Sequence, residues 1–209
     1  MNLLNEDNII HLFFNKLGDI IIANLCFVLC CIPIITIGPA LTALYHCTLR
    51  MVKGNCYKVS KTFISAFKTN FKQSLLVWIC ILISAFILST NIRFLTHMSG
   101  SSFALILFYM TGGIAIILLI LTLYIFPVIA AFSNPLKLHV KNALLFAFMH
   151  FFKTISIVII SVAPFLITYN DLKLLPLYAF CWFFFGFSLI AYLNSFLFYK
   201  IFCPYLATS

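Results

Sequence analysis

Acidic side chains are almost missing from this chain: Glu6, Asp7, Asp19 and Asp171 are the only four in 209 residues. Two lie at the start and two on unrelated apolar segments, so no carboxylate pair is placed for general acid–base work. Charge of either sign is scarce, at 8% of residues, where soluble domains carry about a quarter. So few charges cannot cover a surface in water, which excludes an ordinary soluble globule. The eight cysteines contain no Cys-x-x-Cys pair, and the five histidines show no His-x-x-x-His or His-Glu spacing. Neither a zinc site nor a disulfide framework is therefore favoured. A glycine-rich phosphate loop is also absent. The chain is expected not to be an enzyme and to need no cofactor or metal. Its first residues, "MNLLNEDN", lack a basic n-region, so no secretory signal is expected there.

What is present is apolar. Hydrophobic residues make up 64% of the chain, with 25 phenylalanines and a mean hydropathy of +1.16. This implies an all-α polytopic membrane helix bundle of about five transmembrane helices, with interfacial or re-entrant amphipathic helices. The spans are read at 18–35, 75–91, 103–125 (closing on Phe126-Pro127), 154–168 and 177–198. Gly38-Pro39 breaks the helix arriving from the first span and suits the start of a new one. That helix, Pro39 to Met51, covers roughly 20 Å and falls short of a roughly 30 Å hydrocarbon core. It is read as re-entering the membrane or lying along it. Phe63, Phe67 and Phe71 recur every four residues beside Lys61, Lys68 and Lys72, which reads as a helix lying flat in the headgroups. Residues 9–17 read as a shorter interfacial piece. Cys47 and Cys56 fall near a membrane surface as candidates for acylation.

Thirteen Lys and Arg leave a formal charge of +9. Six of them fall between Arg50 and Lys72 and three between Lys137 and Lys153, with no acid in either stretch. Segments 50–72 and 137–153 are expected to be cytoplasmic, facing an anionic leaflet. Five spans then put the N-terminus outside; a sixth crossing by 39–51 would put it inside. No base-stacking motif accompanies the lysines, so no nucleic acid partner is expected. Ala66-Phe67 and Phe71-Lys72 recur 81 positions later as Ala147-Phe148 and Phe152-Lys153, a pattern expected of a parallel repeat. The chain then reads as one integral-membrane domain, 1–209. It comprises an N-terminal interfacial tail (1–17), a first unit (18–92), a second, repeated unit (103–168), and the last span with its tail (177–209).

Several of these stretches carry a resemblance. Lys16 to Asp19 (Lys-Leu-Gly-Asp), Pro33 to Gly38 (Pro-x-x-Thr-x-Gly) and Thr42 to Tyr45 (Thr-Ala-Leu-Tyr) resemble the opening signature of the YesL-like family, bacterial multi-pass membrane proteins with a domain of unknown function. "FISAFKTNFKQ", Lys141-Asn142-Ala143 and the closing "FGFSLIAYLNSFLFYKIF" extend the similarity over most of the chain. It departs from the family at Phe132-Ser133-Asn134, where relatives carry an Arg and an acid before the Asn. The resemblance implies a cell-membrane protein of unassigned activity. Relatives are often encoded beside carbohydrate-uptake transporters and their sensor kinases. The implied role is a non-enzymatic accessory or regulator of carbohydrate uptake, in contact with such a transporter or sensor kinase. The alternative is a small permease or substrate-binding membrane subunit.

Polar groups inside apolar runs are the candidate sites, because a charge at mid-bilayer costs about 2.5–3.5 kcal/mol on insertion scales. Asn24, Thr36, Thr42, His46 and Arg50 are the candidate lining of a polar pocket at the Pro33–Pro39 corner. Asp19 and Asn194 fit interfacial placement and helix–helix hydrogen bonding respectively. Lys58, Lys61, Lys68 and Lys72 are candidates for contact with anionic lipid.

Overall fold

In lipid each backbone N–H and C=O must find a partner inside its own segment, so apolar runs fold as helices. The structure, a computed structural model, describes residues 3–54, 58–97 and 102–206, with side chains described throughout except at 3–13, 102, 172 and 206. Among the described residues there is no strand. The helices are α1 (Leu3–Cys30), α2 (Ile37–Val52), α3 (Val59–His97), α4 (Ser102–Ala131), α5 (Leu136–Met149), α6 (Phe151–Asn170), α7 (Leu175–Cys181) and α8 (Phe187–Leu206). A five-residue π segment, Trp182–Gly186, joins α7 to α8. Four stretches among the described residues are long and apolar enough to cross a membrane: Val59–His97, Phe103–Ala131, Phe151–Asn170 and Leu175–Tyr205. The chain is a multi-pass, all-α membrane protein.

The first expected span falls in α1, which stops at Cys30 rather than Ile35. A 3₁₀ turn, Ile34–Thr36, follows Pro33. The Thr36 hydroxyl reaches the carbonyls of Cys30 (2.6 Å) and Pro33 (2.7 Å), so the open end of α1 is satisfied within the corner. Trp78 of α3 clips the corner by donating its indole N–H to the Ile34 carbonyl at 2.9 Å. Gly38 then lets α2 meet α3 closely. A Cβ at that position would lie 2.5 Å from the Trp78 Cβ and 2.8 Å from the Ser74 carbonyl oxygen.

α2 differs from the surface or re-entrant helix read in the sequence. Eleven of its 16 residues are buried, among them Ala40, Ala43, Leu44 and Cys47. It packs against α1, α3, α4 and α8, so it is the central element of the bundle. Small residues on several faces permit this, because each face can admit a neighbouring helix. The helix ends where Gly54 turns left-handed (φ +76°) and donates its N–H to the Met51 carbonyl at 3.2 Å.

The aromatic segment is also placed differently. Residues 59–74 are not a separate helix lying flat, since α3 runs unbroken from Val59 to His97. Phe63 is 0% exposed and Phe67 packs half-buried beside it, so these rings face the protein interior rather than headgroups. Lys61, Lys68 and Lys72 occupy the exposed faces. In the second copy of the pattern the helix is broken at His150, which separates α5 from α6. There the Thr154 hydroxyl, 2.7 Å from the Tyr124 hydroxyl, donates to the Ala147 carbonyl at 2.8 Å. Ala66 and Ala147 are both buried, yet Phe148 and Phe152 are 66% and 84% exposed.

Pro127 does not end the third span where expected. Pro127 lies inside α4, which continues to Ala131, and Pro164 lies inside α6. A proline removes one helical hydrogen bond, which neighbouring helices and hydroxyls offset in a bundle. The last span runs through the π segment as one helical stretch, Leu175–Tyr205.

The buried core is one-sided. Its large aromatics, Phe63, Tyr124, Phe126, Phe146, Phe198 and Phe202, come from the first turns of α3, the end of α4, α5 and the end of α8 around α2, and Ala23 and Phe27 of α1, Val77 and Ile81 of α3, and Ile157 of α6 extend it. Gln73 donates to the Asn134 carbonyl at 3.1 Å, which ties both basic segments into this same body. The spans beyond it are open. Between 11% and 33% of the most apolar stretch of each is buried, and an apolar cavity of about 550 Å³ separates α3, α4 and α6.

Candidate functional site

The polar residues of the sequence separate into packing groups and one open group. Asn24 on α1 donates its side-chain N–H groups to the carbonyls of Trp182 (3.0 Å) and Phe183 (2.7 Å). Its oxygen accepts the Ser188 N–H at 2.9 Å. A π segment shifts the hydrogen-bond register and frees backbone groups, and Asn24 takes up those groups. Thr36 is spent on the α1–α2 corner. Thr42 shares a 2.8 Å bond with Ser74. Thr48 meets Ser195 at 2.7 Å, and Asn194 donates to Ser161 at 2.8 Å. These bonds stitch helices together and face no common space. Asp19 is half-buried on α1.

His46 and Arg50 are different. They lie one turn apart on α2 and line two adjoining cavities. The first, about 210 Å³, lies between the ends of α2, α4 and α8 and includes Lys53, Ala130 and Tyr199. The second, about 310 Å³, lies against α3 and includes Lys61, Ser65, Thr69 and Asn70. Arg50 and Lys53 thus line the first cavity and Arg50 and Lys61 the second, and among the described residues no acidic side chain lines either. Lys53 is held with its Nζ 5.7 Å from the centre of the Tyr199 ring, a cation–π placement. Arg50 is exposed.

The hydrogen bonds fix what the walls offer. His46 Nδ1 lies 3.0 Å from the Ala130 carbonyl; a carbonyl only accepts, so Nδ1 carries the proton and Nε2 is left to meet a ligand. Burial pushes the His46 imidazole below its ordinary pKa. The Ala130 bond opposes that shift, while the Arg50 and Lys53 charges add to it. Thr69 donates its hydroxyl hydrogen to the Ser65 carbonyl at 2.9 Å, and the Asn70 amide donates to the Ala66 carbonyl at 3.1 Å. Both are left presenting oxygen acceptors.

The structure therefore brings His46, Arg50 and Lys61 together and sends Asn24, Thr36 and Thr42 elsewhere. Lys58, Lys68 and Lys72 are exposed and line neither cavity. Sequence reading missed Asn70 and Thr69, whose only signal is an i, i+4 spacing from Ala66 and Ser65 on the face beside Lys61. Cys47 is fully buried with its Sγ 3.9 Å from the Val59 carbonyl, which closes it to acylation; Cys56 lies outside the described residues. Among the described residues no three metal-ligating side chains are grouped.

Fold and composition define a multi-pass helical membrane protein. Within it, residues 20–92 match the family model described as "Protein of unknown function, DUF624". That stretch includes the α1–α2 corner, all of α2 and most of α3. No curated protein and no solved structure matches the chain.

Proposed function

We propose that the protein is a non-enzymatic accessory subunit of the cell membrane that works through its basic end. The supporting observation is that buried residues of both basic segments, Phe63 and Ala66 of the first and Ala143 and Phe146 of the second, belong to one core cluster, with Gln73 bonded to the Asn134 carbonyl beside them. Bases gathered on one end fit the positive-inside bias, so segments 50–72 and 137–153 are placed in the cytoplasm. The rigid basic body is the surface offered to a partner, and the loosely packed spans anchor it. From the YesL-like resemblance the partner is a carbohydrate transporter or its sensor kinase, and the role is to assist or regulate carbohydrate uptake. Photo-crosslinkers at Lys68 and Lys141, used in native membranes, test this. Capture of a transporter or sensor component supports the reading, and capture of neither overturns it.

The broken helix at residues 31–36 favours a second reading as a small permease. Transport needs a polar path across the bilayer, whereas the cavity between α3, α4 and α6 is lined mainly by Ile, Leu and Val. Solute flux into liposomes that Arg50→Ala abolishes would establish this reading; absence of flux for a panel of sugars and vitamins would end it.

A further inference from the structure

We infer that the paired cavities at His46 and Arg50 form a binding site for a phosphate ester of a hydroxylated group. The site goes beyond the accessory role proposed above and is independent of any protein partner.

Arg50, Lys53 and Lys61 converge on two adjoining cavities, and among the described residues no carboxylate lies in either wall. Three like charges held together repel one another and raise the free energy of the empty site, which an oxyanion bound among them lowers. Lys53 at the end of α2 has a local explanation, since a cation is favoured by the helix C-terminus and this one also rests over Tyr199. Arg50, in the last turn of α2, shares that explanation, but Lys61 reaches the same space from the start of α3, where the helix dipole disfavours a cation. A guanidinium presents a planar fork suited to two phosphoryl oxygens.

Hydrogen-bond polarity then selects the rest of the ligand. Thr69 has donated its hydroxyl hydrogen to the Ser65 carbonyl, and Asn70 one of its two amide hydrogens to the Ala66 carbonyl, so both oxygens accept while Asn70 keeps one N–H to donate. Acceptors of this kind are unfavourable next to a bare anion and favourable next to hydroxyl groups. One ligand satisfies both sets when it carries anionic oxygens toward Arg50 and hydroxyls toward Thr69 and Asn70. Inorganic phosphate carries its one or two hydroxyls on the phosphorus itself, among the anionic oxygens, rather than on a separate arm that can extend toward Thr69 and Asn70. Glycerol phosphate, a hexose phosphate and the headgroup of phosphatidylglycerol all share the required chemistry.

The test uses the full chain in phosphatidylcholine nanodiscs, titrated calorimetrically with inorganic phosphate, glycerol and glycerol 3-phosphate. A second arm measures retention of phosphatidylglycerol from mixed nanodiscs by native mass spectrometry. The expected result is that glycerol 3-phosphate binds at least tenfold more tightly than inorganic phosphate while glycerol does not bind. Arg50→Ala then weakens binding tenfold or more without lowering the melting temperature, because the side chain is exposed. Asn70→Leu removes the preference for the ester over inorganic phosphate. Lys68→Ala, outside both cavities, changes neither. If the soluble ester fails but phosphatidylglycerol is retained and Arg50→Ala releases it, the site stands and its source is the lipid. The inference is overturned if neither is held, if Arg50→Ala leaves binding unchanged, or if the ester binds no better than inorganic phosphate and no phosphatidylglycerol is retained.

Discussion

The two ends of this molecule are built by different forces. At the basic end Phe63, Tyr124, Phe198 and Phe202 are sealed inside α2, α3, α4 and α8, as in a soluble core. At the other end Phe86, Phe103, Met110 and Ile116 stand on the outside of the same long helices. Where helices meet water, burying such a side chain is worth about 1.5–3 kcal/mol. Where they meet lipid that gain vanishes, because lipid tails are as apolar as leucine, and association falls to packing contacts and hydrogen bonds. One continuous helix, α3, carries both patterns: an amphipathic start packed on the core and a mostly apolar remainder that is largely exposed.

The largest test of this contrast compares two phenylalanines on α3. Phe63→Ala, at a position 0% exposed, should cost about 3–5 kcal/mol. Phe86→Ala, at a position 69% exposed, should stay within about 0.5 kcal/mol. Melting followed by size-exclusion chromatography in one detergent reads both; equal losses would break the comparison.

A pair of glycines comes next. Gly38→Ala forces a Cβ into Trp78 and the Ser74 carbonyl, an overpacking that should cost about 1–3 kcal/mol. Gly113→Ala on α4 meets nothing within 4 Å and should gain up to about 1 kcal/mol from helix propensity. Opposite signs in the same melting assay are the expected outcome.

Asn24→Leu sharpens the account at the open end, where hydrogen bonds replace hydrophobic burial. Loss of its bonds to Trp182, Phe183 and Ser188 should cost about 1–2 kcal/mol. It should also change the fluorescence of Trp182 while leaving a Trp182→Phe variant, which reports Trp78, unaffected. A change at Trp78 would mean that the two ends are not separable.

Acid provides the gentlest probe. His139 on α5 is fully buried, with neither ring nitrogen hydrogen-bonded. Burial holds its imidazole below the ordinary pKa, with the Asn134 backbone in partial opposition. His46 is shifted the same way. A folded state that binds fewer protons than the unfolded one loses stability as pH falls through the unfolded value, near 6.5. The melting temperature should therefore drop between pH 7.5 and pH 5.5, and His139→Leu should flatten most of that slope. A slope unchanged in His139→Leu would assign the effect elsewhere.

Much of this architecture was legible in the residues. Composition alone dictates lipid as the main solvent, and the apolar runs locate the four long spans. The Pro33, Thr36, Gly38 and Pro39 series marks a corner whose parts the structure explains one by one. What could not be read was which side of an amphipathic helix faces protein. Phe63, Phe67 and Phe71 have the same spacing whether they enter headgroups or a core, and only the arrival of α2, α4 and α8 decides. Pro127 misled because a proline in a bundle bends or tightens a helix without ending it. The site divided for a similar reason. Asn24 and His46 look alike as polar residues in apolar runs, but Asn24 is consumed by a π segment that no local pattern announces.

The central claim is that order resides in the basic end and the spans are loosely joined. Pulsed electron resonance measures this directly in nanodiscs, on a background with the native accessible cysteines replaced. One spin-label pair at Lys68 and Lys141 reports the basic end, and another at Ile87 and Ile116 reports the spans. The account predicts a narrow distance distribution for the first pair and one at least about twice as broad for the second. Equal widths, or the broader one at the basic end, would contradict it.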